Sequence, residues 1–304
     1  MFKSLQVALA LSLGAVAIPL FNPATATASS SPACIVSLSP TATETLFAIG
    51  AGRQVQAVDR DANYPAHGLP AKRINALNPS VEAVIGICKS THGSSTKPNL
   101  VIISYDANSI KEKLAAVGVK VLEQSAPTSL SGALGQIRQL GALTGHAARA
   151  QALATSLART IAADVRSVPV HRAKKLTVYY ELDPTYYSLT SSTFVGALMK
   201  SLGVVNIADA HSTSADAGYP QLSAEYIVSA NPKLIFLADT ICCKVTSAKV
   251  AQRPGFAKVS AVVDGHVVGL SDDVASRWGP RLGLLMAQIT SAVRKALADP
   301  RLWQ

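Results

Sequence analysis

The chain has 304 residues, 49% of them hydrophobic and 15% charged, with 28 Lys and Arg against 18 Asp and Glu for a formal net charge of +10. Its length suits two lobes of ordinary domain size. The basic residues are scattered, with no run beyond Lys174-Lys175 and no aromatic residues interleaved, which disfavours nucleic acid and leaves an anionic surface or an anionic ligand.

Residues 1–28 read as a signal peptide. Lys3 supplies the positive start, residues 5–18 an apolar stretch too short to span a bilayer, and Ala26-Thr27-Ala28 a small-residue cleavage site. The mature chain is expected to be exported, periplasmic or extracellular and associated with the cell envelope. Ser31-Pro32-Ala33-Cys34 lacks the leucine of an acylation motif and lies far from the apolar run, so lipidation at Cys34 is rejected. The four cysteines Cys34, Cys88, Cys242 and Cys243 permit three pairings. A vicinal Cys242-Cys243 disulfide, leaving Cys34 with Cys88, is favoured; cross-pairing between lobes and free thiols stay open. No Cys/His spacing points to structural zinc.

From Ile35 the chain alternates strand and helix. The apolar run Ile35-Val36-Ser37-Leu38 predicts a strand, Thr41 or Thr43 a cap for the next helix, and Gly50 its stop. Strands are predicted over 55–58, 100–104 and 119–122, with a helix over 109–117 stopped by Gly118. This rhythm implies a mostly parallel sheet covered by helices, with ligand sites at the carboxyl ends of the strands. Between 130 and 165, leucines and isoleucines recur at helical spacing, with a possible break at Gly141, Gly145 and His146. The alternation resumes at Leu176-Thr177-Val178-Tyr179-Tyr180 and continues to a final helix over 280–298. The expected fold is α/β, with lobes at 34–127 and 170–304, each on a mostly parallel central sheet. One long α-helix within 128–169 joins them.

One segment occurs twice. Asn78-Pro79-Ser80-Val81-Glu82 leads to Pro98 and the strand Leu100-Val101-Ile102-Ile103; Gln221-Leu222-Ser223-Ala224-Glu225 leads to Pro232 and the strand Leu234-Ile235-Phe236-Leu237. Each copy starts a helix on a serine, places a glutamate in its first turn, and breaks at a proline before a buried strand. Matched acidic tips suit docking on a two-fold symmetric partner. The first copy carries an insertion over 88–96, read as a surface loop.

These residues bring a resemblance into view. The run from Cys34 through Ser39-Pro40-Thr41-Ala42-Thr43-Glu44 to Gly50 is similar to the opening of the iron-siderophore and vitamin B12 class of periplasmic binding proteins. Asn63-Tyr64-Pro65, the two glutamate helices, Arg253-Pro254-Gly255-Phe256 and Ser276-Arg277-Trp278-Gly279-Pro280-Arg281 resemble that class in the same order. The resemblance covers nearly all of the mature chain. It implies a monomer that captures a ferric siderophore or a cobalamin-type corrinoid and delivers it to the membrane permease dimer of an ATP-binding-cassette importer. It also implies lobes that move little, no intrinsic cofactor and no protein-held metal. Carried over by position, Glu82 and Glu225 would meet permease arginines. Tyr64, Tyr105, Tyr187, Tyr219 and Trp278 would line the cleft, and Arg277 and Arg281 would pair with anionic ligand groups. Trp278 stands where the tail motif usually has proline, which puts the ligand in doubt rather than the family.

Other readings fare worse. No nucleophile elbow, Walker loop, H-E-x-x-H or Rossmann fingerprint is present, so no catalytic residue is assigned and a hydrolase is disfavoured. Haem and a bare metal ion are the alternative ligands; cleft aromatics outnumber plausible histidine ligands, which favours a wrapped metal.

Overall fold

The computed structural model describes residues 33–88 and 97–303. The signal peptide and most of the 88–96 insertion lie outside the described residues. Among the described residues, nine strands form two all-parallel sheets. The first has the order β3-β2-β1-β4-β5 and comprises β1 (Ile35–Leu38), β2 (Val55–Asp59), β3 (Arg73–Ile74), β4 (Leu100–Ile103) and β5 (Val121–Glu123). The second has the order β7-β6-β8-β9 and comprises β6 (Thr177–Glu181), β7 (Val205–Asn206), β8 (Leu234–Leu237) and β9 (Val267–Gly269). The four-stranded sheet repeats the order of the first without its edge strand β3.

Helices cover both sheets. In chain order they are α1 (Pro40–Ala48), α2 (Val81–Ile85), α3 (Ile110–Ala116), α4 (Leu130–Thr144), α5 (Ala147–Arg166), α6 (Val170–Ala173), α7 (Phe194–Ser201), α8 (Ala224–Ala230), α9 (Ser247–Ala251), α10 (Ser260–Val263), α11 (Asp272–Ala275) and α12 (Leu282–Ala298). A strand buried on both faces must be apolar throughout, and β4 and β8 are. Leu100 and Ile102 face the cluster under α1, α4 and α5, while Val101 and Ile103 face the opposite side with Ile110 and Leu114 of α3. In β8 the same alternation sends Leu234 and Phe236 toward α12 and Ile235 and Leu237 toward Ile227 and Phe256.

The helical stretch over 130–165 is two helices. Gly145 takes φ 77° as the C-cap of α4, a left-handed conformation open to glycine, and α5 starts two residues later. The 20-residue α5 is the long connecting helix, about 30 Å in length at 1.5 Å per residue. Ala150, Ala154 and Leu157 pack into the core beside the first sheet, and Ile161 into the core beside the second. Other sequence expectations shift locally. The cap of α1 is Ser39, whose hydroxyl accepts from the Ala42 amide at 3.2 Å, because Pro40 with its fixed φ takes the first helical position. Thr41 and Thr43 lie inside the helix. The edge strands β3 and β7, of two residues each, have no sequence signal of their own.

Disulfides join Cys34 to Cys88 and Cys242 to Cys243. The first ties the start of β1 to the end of the α2 segment; the second lies in the exposed loop after β8. Among the described residues no helix is long and apolar enough to cross a membrane.

Candidate functional site

The carboxyl ends of the two sheets face each other. Asp61 and Asn63 follow β2, while Asp273 and Arg277 follow β9, and these segments touch. Asn63 Nδ2 donates to Asp273 Oδ2 at 2.5 Å, and Arg277 donates to Asn63 Oδ1 at 2.7 Å and to the Asp61 carbonyl at 3.0 Å. In parallel α/β sheets this end is where loops converge on a ligand.

At the centre of the contact is Glu44, on α1 and only 1% exposed. Its Oε1 accepts from Arg277 Nη1 at 2.7 Å and from Arg281 Nη2 at 2.6 Å, and its Oε2 accepts from Arg281 Nε at 3.0 Å. One carboxylate thus holds two guanidiniums from the other sheet's side of the molecule, and Asp273 accepts from Arg277 at 2.6 Å as a second counter-charge. The Glu44 hydrogen bonds are the largest influence on Arg281 and hold its guanidinium above the usual arginine range. Gly279 lets this segment lie against α1, since a Cβ there would stand 3.2 Å from the Thr41 carbonyl.

Beside this contact is a cavity of about 180 Å³ lined by Ala126, Leu182, Phe194, Tyr219, Arg277 and Trp278 among others, with Arg277 the sole charged residue in its wall. Ala126 follows β5 and the rest come from the second sheet's side. The Trp278 ring is half-buried against the core, and its Nε1 donates to Gln136 Oε1 of α4 at 2.7 Å. The volume is below that of ordinary small-ligand pockets.

Tyr226 is half-buried and donates to the Ile207 carbonyl at 2.7 Å; the other seven tyrosines differ in exposure. Tyr64, Tyr105, Tyr187 and Tyr219 are each 41–44% exposed, and each lies in a segment that follows the carboxyl end of a strand. Tyr179 and Tyr180 are fully buried in β6, and Tyr186, at φ 71°, stacks on Phe256 with ring centres 6.1 Å apart. Tyr64, joined to Pro65 by a cis peptide, has the Arg281 guanidinium 4.6 Å from its ring centre. Tyr187 pairs with Gln221 through an isolated antiparallel bridge, two residues beyond Tyr219. Of the four half-exposed tyrosines, Tyr219 lines the cavity and Tyr64, Tyr105 and Tyr187 do not. Arg277 and Arg281 are placed at the cleft, but their guanidiniums are taken up by protein carboxylates. Glu44, Asn63 and Asp273 had no assigned role in the sequence reading. A single charged residue inside the buried helix α1, and two arginines four residues apart, are the signals that could have marked the pairing.

A second buried charge cluster lies at the corresponding end of β6 and β8. Glu181 accepts both terminal nitrogens of Arg253 at 2.6 and 2.7 Å, and Arg253 lies over the rings of Tyr186 and Phe256. Asp239 is fully buried, and neither of its oxygens has a hydrogen-bond donor in the protein. Burial, then the negative charge of Glu181, pushes its carboxyl up to about 7.

Glu82 and Glu225 occupy matched places. Ser80 Oγ accepts from the Ala83 amide at 3.0 Å and Ser223 Oγ from the Tyr226 amide at 3.1 Å, so both helices begin with the same cap and a glutamate in the first turn. Both glutamates are exposed, and neither has an ion-pair partner among the described residues. Their helices precede the equivalent strands β4 and β8.

Residues 35–274 match the family model for periplasmic binding proteins. A cobalamin-binding protein of Halobacterium salinarum is 30% identical over 274 residues, covering 88% of this chain and 70% of the relative. An uncharacterized ABC transporter substrate-binding lipoprotein of Bacillus subtilis is 28% identical over 260 residues, covering 83% of this chain and 76% of the relative. Among solved structures, a periplasmic vitamin B12 binding protein of Vibrio cholerae shares the fold at a TM-score of 0.72 and 21% identity, covering 88% of this chain and 99% of that one. The chain belongs to the periplasmic binding protein family.

Proposed function

We propose that this periplasmic binding protein is the extracytoplasmic substrate-binding component of an ATP-binding-cassette importer. It captures a metal chelate, a cobalamin-type corrinoid or a ferric siderophore, in the cleft between its sheets and hands it to a membrane permease dimer. The observation that carries this reading is an apolar cavity walled by Tyr219 and Trp278 at the carboxyl ends of the strands, with Tyr64, Tyr105 and Tyr187 half-exposed in other segments that follow strands. Aromatic faces bury large planar chelates while ordering few rotamers. Relatives named for cobalamin binding and for ABC-transporter substrate binding support the same class. The function is binding and delivery, without turnover.

Glu82 and Glu225 are the proposed docking groups. Exposed carboxylates in a helix's first turn are favoured by the helix dipole, and rim charges steer and orient encounter. Duplication at equivalent positions supports this assignment, because an importer permease presents two equivalent halves.

Trp278 offers the test. Its emission is followed in the mature protein carrying Trp303→Phe while cyanocobalamin, haemin and ferric siderophores are titrated in turn. Saturable quenching by a corrinoid or a siderophore at submicromolar concentration supports the reading. Absence of any response, with the protein folded, contradicts it.

A further inference from the structure

Arg277 is the one charged residue in the wall of the cavity, and Arg281 stands against the exposed Tyr64 ring, yet neither guanidinium is offered to the cleft as a bare charge. Glu44 accepts from both, and Asp273 accepts from Arg277, so two positive and two negative charges cancel within hydrogen-bonding distance. The Asn63 side chain and the Asp61 carbonyl take the remaining terminal N–H groups of Arg277. An anionic ligand entering this site would lose hydration against aromatic rings and a buried carboxylate without meeting a free cation, and that penalty discriminates against it.

We propose that Glu44 determines the charge selectivity of the cleft: by neutralising Arg277 and Arg281 it admits a chelate without net negative charge and rejects chelates that carry free carboxylates or catecholates. The inference rests on the reading of the cleft as a metal-chelate site. The same contacts also hold the two sheets together, but a purely structural Glu44 would leave the preference between neutral and anionic ligands unchanged. The ratio of the two affinities is therefore the informative quantity, not either affinity alone.

The test is calorimetric titration of the wild-type protein and Glu44→Gln with three probes: cyanocobalamin, which has no net charge, haemin, which has two carboxylates, and a ferric tris-catecholate. The wild type is expected to prefer cyanocobalamin. Glu44→Gln removes one negative charge while keeping the side chain's shape, and the anionic-to-neutral affinity ratio is expected to rise by about tenfold or more, with the gain shrinking as salt is added. A wild type that prefers the anionic chelates, or a variant with an unchanged ratio, overturns the inference and leaves the transport reading standing. A wild type that binds none of the three sinks the transport reading, and the inference falls with it. Should Glu44→Gln fail to fold, Asp273→Asn carries the test. It keeps Glu44 in place and unmasks only Arg277, so the ratio is expected to move in the same direction by less; no shift in the folded variant overturns the proposal.

Discussion

The two sheets share a strand order and differ in how they spend a buried glutamate. Beyond the carboxyl end of β1, Glu44 on α1 binds two arginines that follow β9 of the other sheet. At the carboxyl end of β6, the equivalent strand, Glu181 binds Arg253 of its own side, and Asp239 is crowded in beside it. The first cluster sets two guanidiniums against two carboxylates, Glu44 and Asp273, and the second has two carboxylates around one guanidinium. A buried glutamate near the carboxyl end of a strand thus either couples the two halves or stands beside a carboxyl that holds a proton. Coupling follows from matched charges drawn from both sides of the contact, whereas a carboxylate pair sharing one arginine favours protonation of one member.

Four changes break or sharpen that contrast. The largest effect is expected from Glu44→Ala, which leaves two buried guanidiniums short of a partner. Loss of one member of a buried pair costs about 3–5 kcal/mol, and the thermal midpoint should fall by several degrees, as a circular-dichroism melt will show. Next is Trp278→Ala, on the coupled side of the molecule. Removing an aromatic anchor from the cavity wall should weaken ligand binding by about 2 kcal/mol, and unchanged affinity in a calorimetric titration would assign the ring to packing alone.

The Asp239 cluster answers to pH rather than to ligand. Its folded-state pKa of about 7 lies above the ordinary carboxyl value of 3.8, so the native state holds a proton that the unfolded chain releases. Stability from this group is complete below pH 4, declines as pH rises toward 7, and is level above that. Asp239→Asn is neutral at every pH, so denaturant titrations should find it gaining on the wild type between pH 4 and pH 7; a constant difference across that interval would contradict the proton assignment. The smallest effect on the isolated protein belongs to Glu82→Ala with Glu225→Ala, where the two halves are alike. Ligand affinity should stay as it was while uptake through the reconstituted permease is lost, and weakened affinity would remove the docking assignment.

What the sequence discloses follows from the range of the interactions involved. Strands such as Leu100-Val101-Ile102-Ile103 are legible because burial on both faces requires continuous apolar residues. The paired helix starts at Ser80 and Ser223 are legible because a cap and its first-turn acid lie within three residues of each other. At least one of Tyr179 and Tyr180 reads as core from its place in a strand, where the structure buries both, and the exposed tyrosines read from their place after a strand. Glu44 lies more than two hundred residues from Arg277 and Arg281, so a buried charge in α1 and two nearby arginines mark candidates for pairing without showing that they meet. Ser39 displaced Thr41 as a cap because proline takes the next position, a competition that residue type alone does not rank.

The central claim is that a chelate is held between the two sheets by aromatic residues from both. Hydrogen exchange read by mass spectrometry, with and without saturating cyanocobalamin or a ferric siderophore, addresses it directly. Protection should appear together in the segments carrying Tyr64 and Tyr105 and in those carrying Tyr187, Tyr219 and Trp278. Protection confined to one sheet's segments, or found away from all five residues, would contradict it.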